Sequence, residues 1–290
     1  MNKTIITLLI STFTGMLIGC SSPQTLTPTP LPVTPTAPPT STPSPIPEPQ
    51  WTLVWADEFE QADGEGPDPH NWIHTTGASG FGNGELQAYT RDIKNAYIEN
   101  NMLVIQALEE DYLGRAYTSA RLNTLTLAQF TYGRVEVRAK LPNTQGIWPA
   151  IWMLPAIGSS PVNGEIDIME LIGLEPFRVY GTLHYGNPHE SQSNWFDLPD
   201  GATFDQDFHV FSLEWEEEEI RWYVDGQPYH QANEWFTSQS NSPYPAPFNK
   251  PFYLILNVAV GGVWAGSPDE TSVFPQSMVV DYVRVYQWKD

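Results

Sequence analysis

Cysteine is almost absent. The 290-residue chain holds one, Cys20, so no disulfide can close within it. Basic residues are scarce as well: 13 Lys and Arg stand against 34 Asp and Glu, a net charge of −21. Such a surface repels phosphate backbones and anionic lipid, which excludes nucleic acid as a partner and leaves a neutral ligand unaffected. No segment supplies the ~20 uninterrupted apolar residues of a membrane-spanning helix. Nor does any long stretch carry a hydrophobic period of 3.6, and no internal repeat is visible.

Three materials follow one another along the chain. Residues 1–20, MNKTIITLLISTFTGMLIGC, have one Lys near the start, an interrupted apolar run and small residues at the end. This is the layout of an export signal. The ending LIGC resembles the lipobox of bacterial lipoproteins, which implies cleavage before Cys20 and a lipid on that residue. A leftover thiol after an ordinary signal peptide is the plainer alternative. Residues 21–50 are rich in Pro and Thr, with one charge, Glu48, and no aromatic residue. Proline at that density removes amide donors and holds the chain extended, so a disordered linker is expected. At ~3.1 Å per residue in polyproline-like form it would reach ~90 Å. A spacer holding a domain off a membrane suits it better than a ligand for a Pro-binding module. Residues 51–290 hold every tryptophan and have the length of one large all-β domain.

Within that domain, strand-like segments recur: MLVIQAL, GRVEVRAKL, FHVFSLEW, IRWYVDGQPYH, FYLILNVAV and MVVDYVRVYQW. Their Val, Ile, Tyr, Phe and Trp fit a pleated, half-buried surface. VDGQP, residues 224–228, predicts a tight hairpin, and the acidic run ending at Glu219 predicts a solvated strand end and turn. Strands in series without helices between them predict antiparallel sheets packed face to face, a β-sandwich of jelly-roll type.

Two segments carry more than core. In GIWPAIWMLP, Trp148, Ala150 and Trp152 share one strand face while Ile151 and Met153 share the other. A core on the Ile/Met side and a ligand on the Trp side would explain this; so would core on both sides. In GEIDIMEL, Glu165 and Asp167 are two apart and point together, whereas Glu170 has an odd offset and would turn inward. A one-residue bulge at Ile168 or Met169 would return Glu170 to the face of the other two. The two glutamates would then stand ~13 Å apart at Cα, about four strand rises. Side chains reaching up to ~4 Å each would leave ~5 Å between carboxyls, the spacing of a retaining rather than an inverting glycosidase. One Glu would attack an anomeric carbon while the other supplies and then removes a proton. Asp167 between them would add like charge and hydrogen-bond the nucleophile. A wet acidic strand face or a Ca²⁺ site would use the same residue types.

At this point the domain resembles glycoside hydrolase family 16, in particular its bacterial laminarinase-like endo-β-1,3-glucanases. GEIDIMEL is similar to the family signature in its bulged form, and lichenases carry a form one residue shorter. FGNGELQAYT, YGRVEVRAKLP, NTQGIWPAIWMLP, GTLHY and LILNVAVGGVWAG resemble further family segments in the same order. The resemblance implies a jelly-roll, concanavalin-like sandwich with a concave substrate cleft. It implies Glu165 as nucleophile, Glu170 as acid/base and Asp167 as the supporting carboxylate. Trp148 and Trp152 become sugar platforms, with Asn83, His184 and Trp264 near them; His184 could equally support the catalytic strand. Val263 departs from the family, where a polar residue is common. The resemblance further implies a structural Ca²⁺ held by Glu58, Asp281 and carbonyls such as that of Asn101, with no cofactor for catalysis. The expected whole is a monomeric, exported, lipid-anchored retaining hydrolase of β-1,3- or mixed-linkage β-glucan, touching membrane only through its anchor. A non-catalytic glucan-binding lipoprotein is the alternative from another class.

Overall fold

The computed structural model describes residues 51–288; the expected export segment, the lipidation at Cys20 and the linker lie outside the described residues. Seventeen strands follow in order: β1 (Trp51–Asp57), β2 (Ile73–His74), β3 (Gln87–Tyr89), β4 (Ala96–Glu99), β5 (Met102–Tyr112), β6 (Arg115–Ser119), β7 (Arg121–Asn123), β8 (Gly133–Lys140) and β9 (Ile147–Pro155). Then come β10 (Glu165–Glu170), β11 (Arg178–Tyr185), β12 (Glu190–Asp197), β13 (His209–Trp215), β14 (Ile220–Val224), β15 (Gln227–Ala232), β16 (Phe252–Val260) and β17 (Gln276–Trp288). The one helical element among the described residues is a 3₁₀ turn at Pro199–Gly201.

These strands form two sheets. The larger runs β15-β14-β13-β8-β17-β5-β6-β3, with β1 added on β17 and β4 on β5; the smaller runs β12-β11-β10-β9-β16-β7-β2. Every named pairing is antiparallel except β3 with β6. The expected all-β jelly-roll sandwich is the fold observed. β8 shows why the sequence folds this way: Gly133, Val135, Val137 and Ala139 are buried, while Arg134, Glu136, Arg138 and Lys140 between them are not. Period-two alternation of this kind puts one face on the core and the other in water. The β14–β15 turn is the predicted tight hairpin. Asp225 and Gly226 both have positive φ, 49° and 75°, as a two-residue type I′ turn requires. Asp225 then accepts the Val210 N–H at 2.8 Å and ties the hairpin to β13.

Both sheets contribute to one buried core. Ile151, Met153, Ile166, Leu254 and Leu256 come from the smaller sheet, and Val135, Val137, Leu213, Trp222 and Val283 from the larger. Fully burying an aliphatic side chain contributes roughly 1.5–3 kcal/mol, so this layer orients the strands that carry the outer face. The two ends of the domain are also joined, because β1 lies antiparallel along β17 with Trp51 opposite Trp288. Their rings are 4.9 Å apart.

β10 is where alternation breaks. Against β9, Asp167 pairs with Trp152 but Met169 pairs with the next residue, Ile151, which leaves Ile168 over. Against β11, Asp167 pairs with Thr182 and Glu170 with Tyr180, so Ile168 and Met169 together face Gly181. Ile168 and Met169 are both buried. The bulge expected at this pair of residues is therefore present, and its two apolar side chains hold it to the core. The larger sheet pins it from below: Trp222 Nε1 donates to the Asp167 carbonyl at 2.8 Å. Gly181 makes room for this. A Cβ there would meet the Trp222 ring at 2.6 Å and the Tyr229 hydroxyl at 2.5 Å.

Candidate active site

With the bulge in place, Glu165, Asp167 and Glu170 all project to the outer face of the smaller sheet. There they line a cleft of about 570 Å³. On one side of them stand Trp148, Ala150 and Trp152 from β9, Asn257 and Ala259 from β16, and Arg121 from β7. On the other stand Tyr180, Thr182 and His184 from β11, and Ser191 and Ser193 from β12. Asn83 and Trp264 line it from loops. All eight residues singled out for this cleft from the sequence are thus brought to one cavity.

The indoles are fixed as well as placed. Trp148 Nε1 donates to Glu170 Oε1 at 3.0 Å, and Trp152 Nε1 donates to Asn257 Oδ1 at 2.7 Å. Asn257 is oriented in turn by donating to the Tyr89 hydroxyl at 3.1 Å. Arg121 sits over the Trp152 ring, 4.7 Å from its centroid. A guanidinium there stacks against the indole and restricts it. Trp264 meets Trp148 edge-on at 5.3 Å and Tyr180 at 5.0 Å, which closes an aromatic wall beside Glu170. Asn83 donates to Glu85 at 3.2 Å, and its carbonyl accepts the N–H of the exposed Val263.

Burial and like charge raise two of the carboxyls. Burial pushes Asp167 well above the usual carboxylate range, and the charge of Glu165 pushes it the same way. Glu170 is also raised, first by burial and then by Asp167 and Glu165; His184 and the Trp148 N–H pull it part of the way back. A raised carboxyl keeps its proton toward neutrality and can donate it, which is the requirement for a general acid. His184 Nε2 lies 3.1 Å from Asp167 Oδ2 without the alignment of a hydrogen bond, and that buried oxygen has no other protein partner. His184 Nδ1 is 2.9 Å from His189 Nε2, so the ring is held between a carboxylate and a second imidazole. Of the two roles open to His184, contact with the supporting carboxylate is the one visible in the structure.

The expected Ca²⁺ ligands behave differently. Neither Glu58 nor Asp281 lines the cleft. Glu58 accepts Arg284 through both oxygens, at 2.7 and 2.8 Å, and Asp281 accepts Arg138. Among the described residues, the one group of three side chains close enough to share an ion is Glu165, Asp167 and His184. A cation held by Glu58, Asp281 and the Asn101 carbonyl would replace these guanidiniums as the partner of both acids. Arginine pairing gives these acids a structural explanation of their own.

Several cleft residues were not anticipated. Tyr180 and Thr182 precede His184 by four and two positions, and extending the strand alternation back from GTLHY would have found them. Arg121, His189, Ser191 and Ser193 have no local signal. The comparisons with known proteins agree with this geometry. The model of Glycosyl hydrolases family 16 matches residues 82–284. The chain belongs to this family. A curated β-glucanase of Rhodothermus marinus is 48% identical over 252 residues, covering 83% of this chain and 86% of that one. The glucan endo-1,3-β-glucosidase A1 of Niallia circulans is 39% identical over 259 residues, 81% of this chain but 38% of that longer protein. The X-ray structure of the laminarinase from Rhodothermus marinus superposes with a TM-score of 0.75 at 44% identity, covering 83% of this chain and 99% of that one. As a family 16 glycosidase, the domain acts on O-glycosyl bonds, and the carboxylate row of β10 is the part of the cleft equipped for that chemistry.

Proposed function

We propose that the domain cleaves β-1,3-glucan chains internally, by double displacement with retention of configuration. The observation that carries this is the bulge in β10, which gathers Glu165, Asp167 and Glu170 on the cleft face and leaves Glu170 raised and hydrogen-bonded to Trp148. The endo-1,3-β-glucanase and laminarinase relatives supply the substrate class, and mixed β-1,3/1,4-glucan belongs to the same reading. Glu165 attacks the anomeric carbon as the glycosidic bond breaks, and Glu170 gives its proton to the departing oxygen. Water then loses a proton to Glu170 and displaces Glu165, which restores both groups. Asp167 sits between the two glutamates in sequence and on the same face, where a proton held on it would stabilise the ionised nucleophile. Trp148 and Trp152 offer aromatic surface to the C–H patches of the sugars, with polar groups at the rim.

The test is to incubate the domain with laminarin, measure new reducing ends, and follow the first-formed product by NMR. The β-anomer is expected. An α-anomer would exclude double displacement, and binding without product would return the domain to the class of glucan-binding proteins. We further propose export and anchoring through a lipid on Cys20, supported by the sequence of residues 1–20. Cys20→Ser is expected to move the protein out of the membrane fraction; unaltered partitioning would reject the anchor.

A further inference from the structure

We propose that Trp195, on β12, is a second sugar platform, placed on the leaving-group side of the carboxylates to bind glucosyl units beyond the scissile bond. The inference rests on the hydrolytic reading above and names where the far half of the chain is held. Its basis is register. Glu170 pairs with Tyr180, and Tyr180 pairs with Trp195. Adjacent strands lie about 4.8 Å apart, so Trp195 stands roughly 10 Å across the sheet from Glu170, beyond the glycosidic oxygen that Glu170 protonates.

Alternation fixes which way it faces. Gln192, Asn194 and Phe196 turn inward: Gln192 donates to the Tyr185 hydroxyl, Asn194 to the Tyr229 carbonyl, and Phe196 packs on the core. Ser191 and Ser193 turn outward and line the cleft, and Trp195 continues that row. Its side chain is half exposed, at 51%, a large apolar area left open along the continuation of the cleft.

The ring is also braced as a platform would need to be. Arg178 lies over it at 5.1 Å from the centroid, and Arg178 is itself locked by a two-pronged pair with Asp197, at 2.6 and 2.8 Å. This repeats the arrangement on the opposite side of the carboxylates, where Arg121 lies over Trp152 at 4.7 Å. A guanidinium stacked on one face of an indole restricts its rotamer before the ligand arrives and leaves less freedom to be lost on binding. The neutral, C–H-rich face of a pyranose suits such a surface, and the two serines supply hydroxyl partners along the way.

The experiment compares Trp195→Ala with wild type on two substrates. Laminarihexaose extends across both sides of the cleft, whereas 4-nitrophenyl β-laminaribioside has no sugar beyond the scissile bond. The loss of kcat/KM on the hexasaccharide is expected to exceed the loss on the aryl glycoside by at least fivefold, with most of the difference recovered in Trp195→Phe. Equal losses on both substrates, or no loss on the hexasaccharide, would overturn the proposal. Should wild type release nothing from laminarin, the hydrolytic reading fails by itself and the platform is judged by affinity. In a Glu165→Gln background, Trp195→Ala must then weaken laminarihexaose binding at least threefold, and unchanged affinity rejects it.

Discussion

β10 and β12 present side chains to the same cleft from the same sheet, two strands apart, and they are built by opposite rules. β10 carries an extra residue, buries all its apolar side chains, and is held from the other sheet through the Trp222 N–H on the Asp167 carbonyl. β12 keeps strict alternation, lies at the sheet edge, and exposes serines and a tryptophan stacked with an arginine. Bond breaking needs groups at odd spacing fixed against a core, so the strand is deformed and the deformation is locked. Gripping a long neutral chain needs only a flat row of surface, which an undeformed edge strand already provides. Changes in β10 should therefore act on turnover and stability, and changes in β12 on affinity.

The largest expected effect tests the first half of that contrast. Glu165→Gln keeps the shape of the side chain but removes the nucleophile, and reducing-end release from laminarin should fall by at least ~10³-fold while oligosaccharide still binds. Turnover near wild type would move the nucleophile elsewhere. Next, Trp222→Phe keeps an aromatic ring under the bulge but removes the indole donor from the Asp167 carbonyl. A stability loss of about 1–3 kcal/mol in urea is expected, with kcat down about tenfold through misplacement of the carboxylates. A variant of native stability and full kcat would show that the bulge holds without its clamp.

The raised carboxyls give a smaller effect whose sign is fixed. In the folded chain Asp167 and Glu170 hold protons that the unfolded chain has released, so stability falls as pH climbs from the ordinary carboxylate range through their raised values. Asp167→Asn removes one of these groups. It should raise stability by about 0.5–2 kcal/mol near pH 8, with less gain near pH 4, while activity drops. A greater gain at the acidic end would contradict the cause assigned here. Smallest of all, Ser193→Ala removes the partner that lies 2.9 Å from the Thr182 hydroxyl on the far wall. It should raise KM for laminarin about twofold at unchanged kcat, and a kcat effect matching that of a β10 variant would erase the distinction between the two strands.

What could be read in advance follows the same division. The sandwich, the β14–β15 hairpin and the bulge were legible because apolar alternation is a local signal, and a single odd offset between Glu165 and Glu170 has few physical solutions. The two cleft tryptophans of β9 were legible for the same reason, since Ile151 and Met153 had already claimed the core. ESQSNWFD escaped because its inward residues, Gln192 and Asn194, are polar and satisfy the neighbouring strands rather than fill a core. Arg121 is recognisable only once β7 is laid beside β16. The arginine partners of Glu58 and Asp281 also escaped through distance in sequence: that of Glu58 is 226 residues away, and no local pattern announces Arg284.

The ladder between β1 and β17 has a mechanical consequence. Trp51 and Trp288 face each other at its end, so the polypeptide enters and leaves the sandwich at one corner. Tension drawn between those two points would part the rungs singly, like a zip, starting from that corner. The carboxylates sit on β10 of the other sheet, four places along it from β2, the strand that follows β1, so a domain tugged by its ends yields at the hem before it loses its grip on sugar.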